Sequence, residues 1–164
     1  MRLADWVQRL HEHPELEPVL ALFHQGGIWQ SVCPESRPVL LAAAWLQRPC
    51  KVLLVCASYD RALQWQARLA LCGVPASQIR LMPSGQSALF EDAAPETVAL
   101  SDRIGALKFL QDPTPGFVIA VPQASLERTL PPDVLAEAFI HVRKGEEVFG
   151  DAVVRGLVTL GYEV

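Results

Sequence analysis

The chain has 164 residues, 51% of them hydrophobic, with a mean hydropathy of +0.22 and a formal net charge of −4. That is enough apolar material for one ordinary domain plus a small appendage. The acidic balance, without a run of lysine or arginine, argues against direct DNA binding by this segment. The longest apolar run, residues 39–46, is far short of the roughly 20 a membrane span needs, and the opening MRLADWVQRLHEHPELEP is too charged for a secretion signal. A cytoplasmic protein is expected.

Leu3, Trp6, Val7 and Leu10 fall at helical spacing, and Leu16, Val19, Leu20 and Phe23 repeat the pattern before the Gly26-Gly27 stop, so two short amphipathic helices open the chain. Strands are predicted at 28–33, 52–57, 79–82 and 117–121, separated by helices over about 37–48, 59–72 and 96–111. KVLLVCA and FVIAV are apolar on both alternating faces, as strands of a parallel sheet covered on both sides must be. The alternation argues a three-layer α/β core. Ser58 and Asp60 are suited to start the helix YDRALQWQARLALCG, and Gly73 with Pro75 to end it.

Residues 83–96, PSGQSALFEDAAPE, and 111–117, QDPTPGF, read as loops. After Val121 comes a short helix, a break at Pro131-Pro132, a strand over 139–142, a turn at Lys144-Gly145 and a closing helix to about Leu160. The composition shift at the proline pair suggests a domain boundary that separates 1–130 from a small α+β part over 131–164. An exposed edge of the parallel sheet and the apolar side of VVRGLVTL are expected to drive self-association.

The stretch IWQSVCPESRPVLLAAAWL has the outline of a phosphate-binding strand, turn and helix. A loop of the GxxxxGK[ST] kind needs glycine for close backbone approach to phosphate, lysine for charge and a hydroxyl for magnesium. That spacing places Val32, Arg37, Pro38 and Val39 at the four positions, all of the wrong type. Pro38 removes a donor, and Glu35 sets a carboxylate close to where phosphate would sit. Ser36 and Arg37 are the polar remainder, and no cofactor is expected.

Other constellations are weaker. His11, His13 and His24 do not converge as a metal set, because positions two apart on a helix diverge. Glu91, Asp92 and Glu96 read as a solvated acidic patch. Cys33, Cys50, Cys56 and Cys72 form no CxxC pair and read as reduced, buried thiols. Trp6, Trp29, Trp45 and Trp65 read as core or half-buried anchors. No nucleophile, base and orienting group assemble into a catalytic set.

The order of these pieces resembles the amino-terminal, UvrB-like module of bacterial transcription-repair coupling factors (Mfd). The resemblance runs from about residue 14 to the end. It rests on PESRPVLLAAAWL, on CASYDRALQWQARL, on LMPSGQSALFEDAAPETVALSDRIGALKFL with Arg103 in its helix, on VIAVPQASLERTLPP, and on HVRKGEEVFGDAVVRGLVTLGYEV. The chain departs from the family at Glu35 and Arg37, where members keep small residues, and in a 83–92 loop without the family's tryptophan and tyrosine. The resemblance implies a degenerate P-loop-NTPase-like core similar to UvrB domain 1a, then the start of a domain 2-like module. It further implies a non-catalytic scaffold, in a parent protein that links stalled RNA polymerase to nucleotide excision repair. Such a scaffold recruits UvrA and restrains the parent's own ATP-driven DNA translocase, while polymerase and DNA are contacted through regions absent here. The arginine-bearing strand that the family offers to UvrA is expected beyond Val164, so no partner-binding residue is assigned.

Two other readings stand beside it. One is a small α/β nucleotide- or phosphate-binding enzyme domain with an atypical loop that uses Arg37 at a helix amino terminus. The other is an adaptor that binds protein through the acidic loop at 91–96.

Overall fold

The computed structural model describes residues 2–84, 97–129, 131–137, 140, 144, 145, 147 and 149–159. They form two compact units, Met1–Glu127 and Arg128–Val164.

In the first unit, helices α1 (Leu3–His11) and α2 (Glu17–Gln25) flank a 3-10 turn, Pro14–Leu16. Then follow α3 (Arg37–Gln47), β1 (Lys51–Val55), α4 (Tyr59–Leu71), β2 (Ile79–Met82), α5 (Thr97–Gln111), β3 (Gly116–Ala120) and the short α6 (Pro122–Leu126). The result is a mixed α/β unit around a three-stranded, wholly parallel sheet in the order β1-β3-β2. Leu53 pairs in register with Val118 and Val55 with Ala120, while Ile79 and Val52 both align with Phe117.

All five residues of β3 are buried, which requires an apolar strand with cover on both faces, and GFVIA supplies it. On one face Phe117 and Ile119 join Leu69, Val74, Ile79 and Trp45 under α3 and α4. Trp45 lies 5.4 Å from the Phe117 ring, and its indole N–H donates to Cys50 O at 2.8 Å. The middle of α3, residues 41–45, is buried because Ala42, Ala43 and Ala44 are small enough to admit α1, α2 and α4 closely. On the other face Val118 and Ala120 meet Met82, Ala106 and Phe109 of β2 and α5.

Local chemistry sets the ends of α4. Ser58 Oγ accepts the Arg61 N–H at the start. At the end, Gly73 takes φ +96°, and the Val74 and Gly73 amides donate to Leu69 O and Ala70 O, both at 3.1 Å. Only glycine enters that left-handed conformation without steric cost, and the two bonds satisfy carbonyls that the helix leaves open.

The strand expected at 28–33 is absent. Ser31 sits at φ +56°, which interrupts an extended run, and the Trp29 indole N–H donates to Val19 O at 2.9 Å, drawing the segment back onto α2. Ile28, the residue that would open the strand, is 76% exposed. Its apolar character reads as β, but the packing of Trp29 wins.

Trp29 and Trp65 are half-buried and Trp45 buried, whereas Trp6 is 51% exposed on the outer side of α1. In the second unit α7 (Pro132–Glu137) and α8 (Gly150–Thr159) are helical, and Gly145 turns at φ +90°. Phe149, Val154 and Val158 are exposed there. The strand expected at 139–142, apart from residue 140, and the acidic loop of Glu91, Asp92 and Glu96 lie outside the described residues. Among the described residues, no helix is long and apolar enough to cross a membrane.

A buried ion pair ties the carboxyl ends of the sheet together. Arg103 of α5, 8% exposed, donates from Nη1 to Glu127 Oε2 at 2.9 Å and to Pro83 O at 3.1 Å. Ser84 Oγ donates to the other carboxylate oxygen of Glu127. The three groups come from the end of β2, from α5 and from the segment after α6, so none can leave without stranding a buried charge. Arg103→Met should therefore lower stability by about 3 kcal/mol in urea unfolding, whereas adding Glu127→Leu to it should restore part of the loss.

Candidate functional site

α3 begins at Arg37 because Pro38 occupies its first turn, where a missing N–H costs nothing. The Ser36 amide donates to Cys33 O at 3.0 Å and closes the turn, and Ser36 O accepts the Leu40 N–H at 3.0 Å. The Ser36 hydroxyl makes no capping bond. Of the degenerate phosphate-loop positions, Glu35, Ser36 and Arg37 are exposed, Val32 and Val39 half-buried, and Pro38 buried. The helix half of the expected unit is thus present, and the strand half is not.

Side chains at the turn are committed to one another. Arg37 Nε donates to Val32 O at 3.3 Å, folding the guanidinium back over the loop. The Cys33 thiol donates to Glu35 Oε2 at 2.6 Å. That bond is the main reason the Glu35 carboxyl is held below its ordinary range; its own backbone amide and the charges of Arg68 and Arg37 act the same way, against some desolvation. A carboxylate fixed at the mouth of the turn opposes any incoming phosphate.

Arg37 is brought together with Arg61 and Arg68 of α4. The three line one groove of about 430 Å³, floored by Trp65 and by residues 54–57 at the end of β1. Arg61, Gln64 and Arg68 stand on one face of α4, since positions three and four apart are helical neighbours. That spacing was legible in RALQWQAR, but nothing in the sequence said that the face looks toward the 33–37 turn.

A second and larger cavity, about 660 Å³, lies at the carboxyl ends of all three strands. Ser58 and Tyr59 follow β1, Pro83 and Ser84 follow β2, Pro122 and Gln123 follow β3, and Asp102 of α5 closes one side. Open parallel sheets bind ligands at this end. Among its described lining residues there is no lysine, arginine or histidine, and Asp102 is a carboxylate, so the cavity is unsuited to a polyphosphate.

The remaining candidates disperse. His24 Nε2 lies 3.1 Å from Ala44 O as a packing contact between α2 and α3. No three His, Cys, Asp or Glu side chains among the described residues are grouped to hold a metal ion. All four cysteines are free: Cys33 is exposed, Cys50 half-buried, and Cys56 and Cys72 buried. The exposure of Cys33 departs from the expectation of four buried thiols, because the turn that carries it stands off the core. Burial pushes the Cys56 and Cys72 thiols up. Lys51 donates from Nζ to Phe109 O at 2.6 Å, and its desolvation lowers its pKa, with Asp112 acting in the other direction.

The chain matches no protein-family model, no curated protein and no solved structure.

A thiol reagent should label Cys33 first and Cys50 more slowly, and should reach Cys56 and Cys72 only on unfolding. Cys33→Ala should move the Glu35 titration, followed by carboxyl NMR, upward toward the ordinary range. Since the folded-state value is the lower one, any stability Glu35 adds is present above the unfolded carboxylate range and is lost as pH falls through the folded value.

Proposed function

We propose that this chain is a non-catalytic, UvrB-like interaction module of a transcription-repair coupling factor, with a degenerate P-loop-like core. In the parent protein such a module links stalled RNA polymerase to nucleotide excision repair, by recruiting UvrA and by restraining the ATP-driven DNA translocase. The observation that carries the reading is the 33–39 turn: a helix amino terminus where an anion would sit, with Pro38 lacking its donor, Arg37 turned back onto Val32 O and Glu35 fixed beside it. The parallel sheet and the alternation of strand and helix agree with it. The strand expected at 28–33 is absent, so the P-loop part of the reading is supported by the helix half of the outline at this turn and by the order of motifs.

One observation favours a second reading, a phosphate-handling α/β domain: Arg37, Arg61 and Arg68 converge on one groove. Guanidinium groups are the usual partners of phosphate and carboxylate oxygens.

Calorimetry separates the two. With ATP and magnesium the first reading predicts no heat of binding at micromolar concentrations, since micromolar affinity needs about 8 kcal/mol that the turn cannot supply. Micromolar binding, with a ligand-induced rise in Tm abolished by Arg37→Ala, would establish the second.

A further inference from the structure

In a parallel ladder, alternate residues of a strand direct their N–H and C=O to the same neighbour. Cys50 O accepts the Gly116 N–H, and the Cys56 N–H donates to Ala120 O, so the even-numbered residues of β1 serve β3. The odd ones, Lys51, Leu53 and Val55, direct theirs outward, and β1 has no neighbour on that side among the described residues. An edge of this kind is a template for another strand.

The two faces beside the edge differ in chemistry. On the α5 side Leu53 and Val55 are 50% and 49% exposed, because α5 lies over β2 and β3 and leaves β1 bare. On the α4 side runs the groove with Arg37, Arg61 and Arg68 around Trp65. Its local charge is opposite to that of the chain as a whole, which is −4. Glu35 of the turn is the carboxylate that lies close to Arg68 and Arg37.

We propose that the outer edge of β1 is a docking site for an extended segment of another polypeptide in which acidic and apolar residues alternate. Its backbone pairs with the free groups of Leu53 and Val55. Side chains of one parity cover those two residues, and the other parity places carboxylates against Arg61, Arg68 and Arg37. Period-two alternation in a strand matches the split between an apolar and a cationic face. This deepens the reading of the chain as an interaction module and rests on it.

The test uses the whole chain and three short synthetic peptides of equal length: glutamate alternating with valine, lysine alternating with valine, and the glutamates and valines in two blocks. Fluorescence anisotropy should show binding of the alternating acidic peptide alone, weakening as salt is raised. Arg61→Gln with Arg68→Gln should reduce that affinity about tenfold or more at unchanged Tm, since neither residue is in the core. Leu53→Asn should weaken it independently, and the bound peptide should slow exchange of the Leu53 and Val55 amides. Equal binding of the lysine peptide, indifference to the arginine substitutions, or no binding of any peptide would overturn the proposal. So would protection of the same amides by a second copy of the chain in light-scattering dimers. None of these failures touches the nucleotide calorimetry, and ATP binding there leaves the peptide result to be judged on its own.

Discussion

The first unit depends on the burial of β3. Its five residues are closed off on both faces and hydrogen-bonded on both sides, so β1 and β2 are held by one strand and, among the described residues, each keeps an edge. The apolar face of Phe117 and Ile119 fixes α3 and α4, and that of Val118 and Ala120 fixes α5. Because α4 must follow β1 and cover this sheet, its polar face turns Arg61 and Arg68 toward the start of α3. The basic groove is thus a consequence of the topology, assembled from residues that share no local motif.

Charge decides between the two cavities. The larger one stands where open α/β sheets hold their ligands, but offers hydroxyls, an amide and a carboxylate. The smaller one carries three guanidinium groups, and at the nearby turn the Glu35 carboxyl is held below its ordinary range chiefly by its bond from Cys33. A triphosphate needs several backbone donors converging at short range in addition to cations. Here Pro38 has no donor, the Ser36 amide is bonded within the turn, and Arg37 faces a carbonyl. An extended acidic chain asks less of the turn, since its backbone finds partners on β1 and its carboxylates meet side chains.

Much of this was legible in the sequence, and the exceptions have physical causes. The strands at 79–82 and 117–121 and the helix over 59–72 were read to within a residue, because continuous apolar runs, Ser58 and Gly73 agree with the fold at every level. IWQSVC looked equally β-like, yet its tryptophan found a carbonyl on α2, a contact between segments that no local pattern encodes. Trp6 was placed inward by helical spacing, while Val7 and Leu10 proved sufficient to seat α1 against α3. Arg103 could be picked out by resemblance, but not its partner Glu127, which lies in another element and meets it only after β2, α5 and β3 have packed. The groove was half legible: Arg37 was singled out for a role at the turn, whereas Arg61 and Arg68, which complete the cationic face, belong to another element and share no local motif with it.

The account stands or falls on β1 being an edge strand whose hydrogen-bonding groups alternate between β3 and a side with no partner among the described residues. Native-state hydrogen exchange, resolved residue by residue, measures this directly. The Val52 and Leu54 amides should be protected to nearly the global unfolding free energy, and those of Leu53 and Val55 should exchange orders of magnitude faster. Uniform protection along residues 51–55 would mean that another strand already lies there, and the free edge with its basic groove would have to be given up.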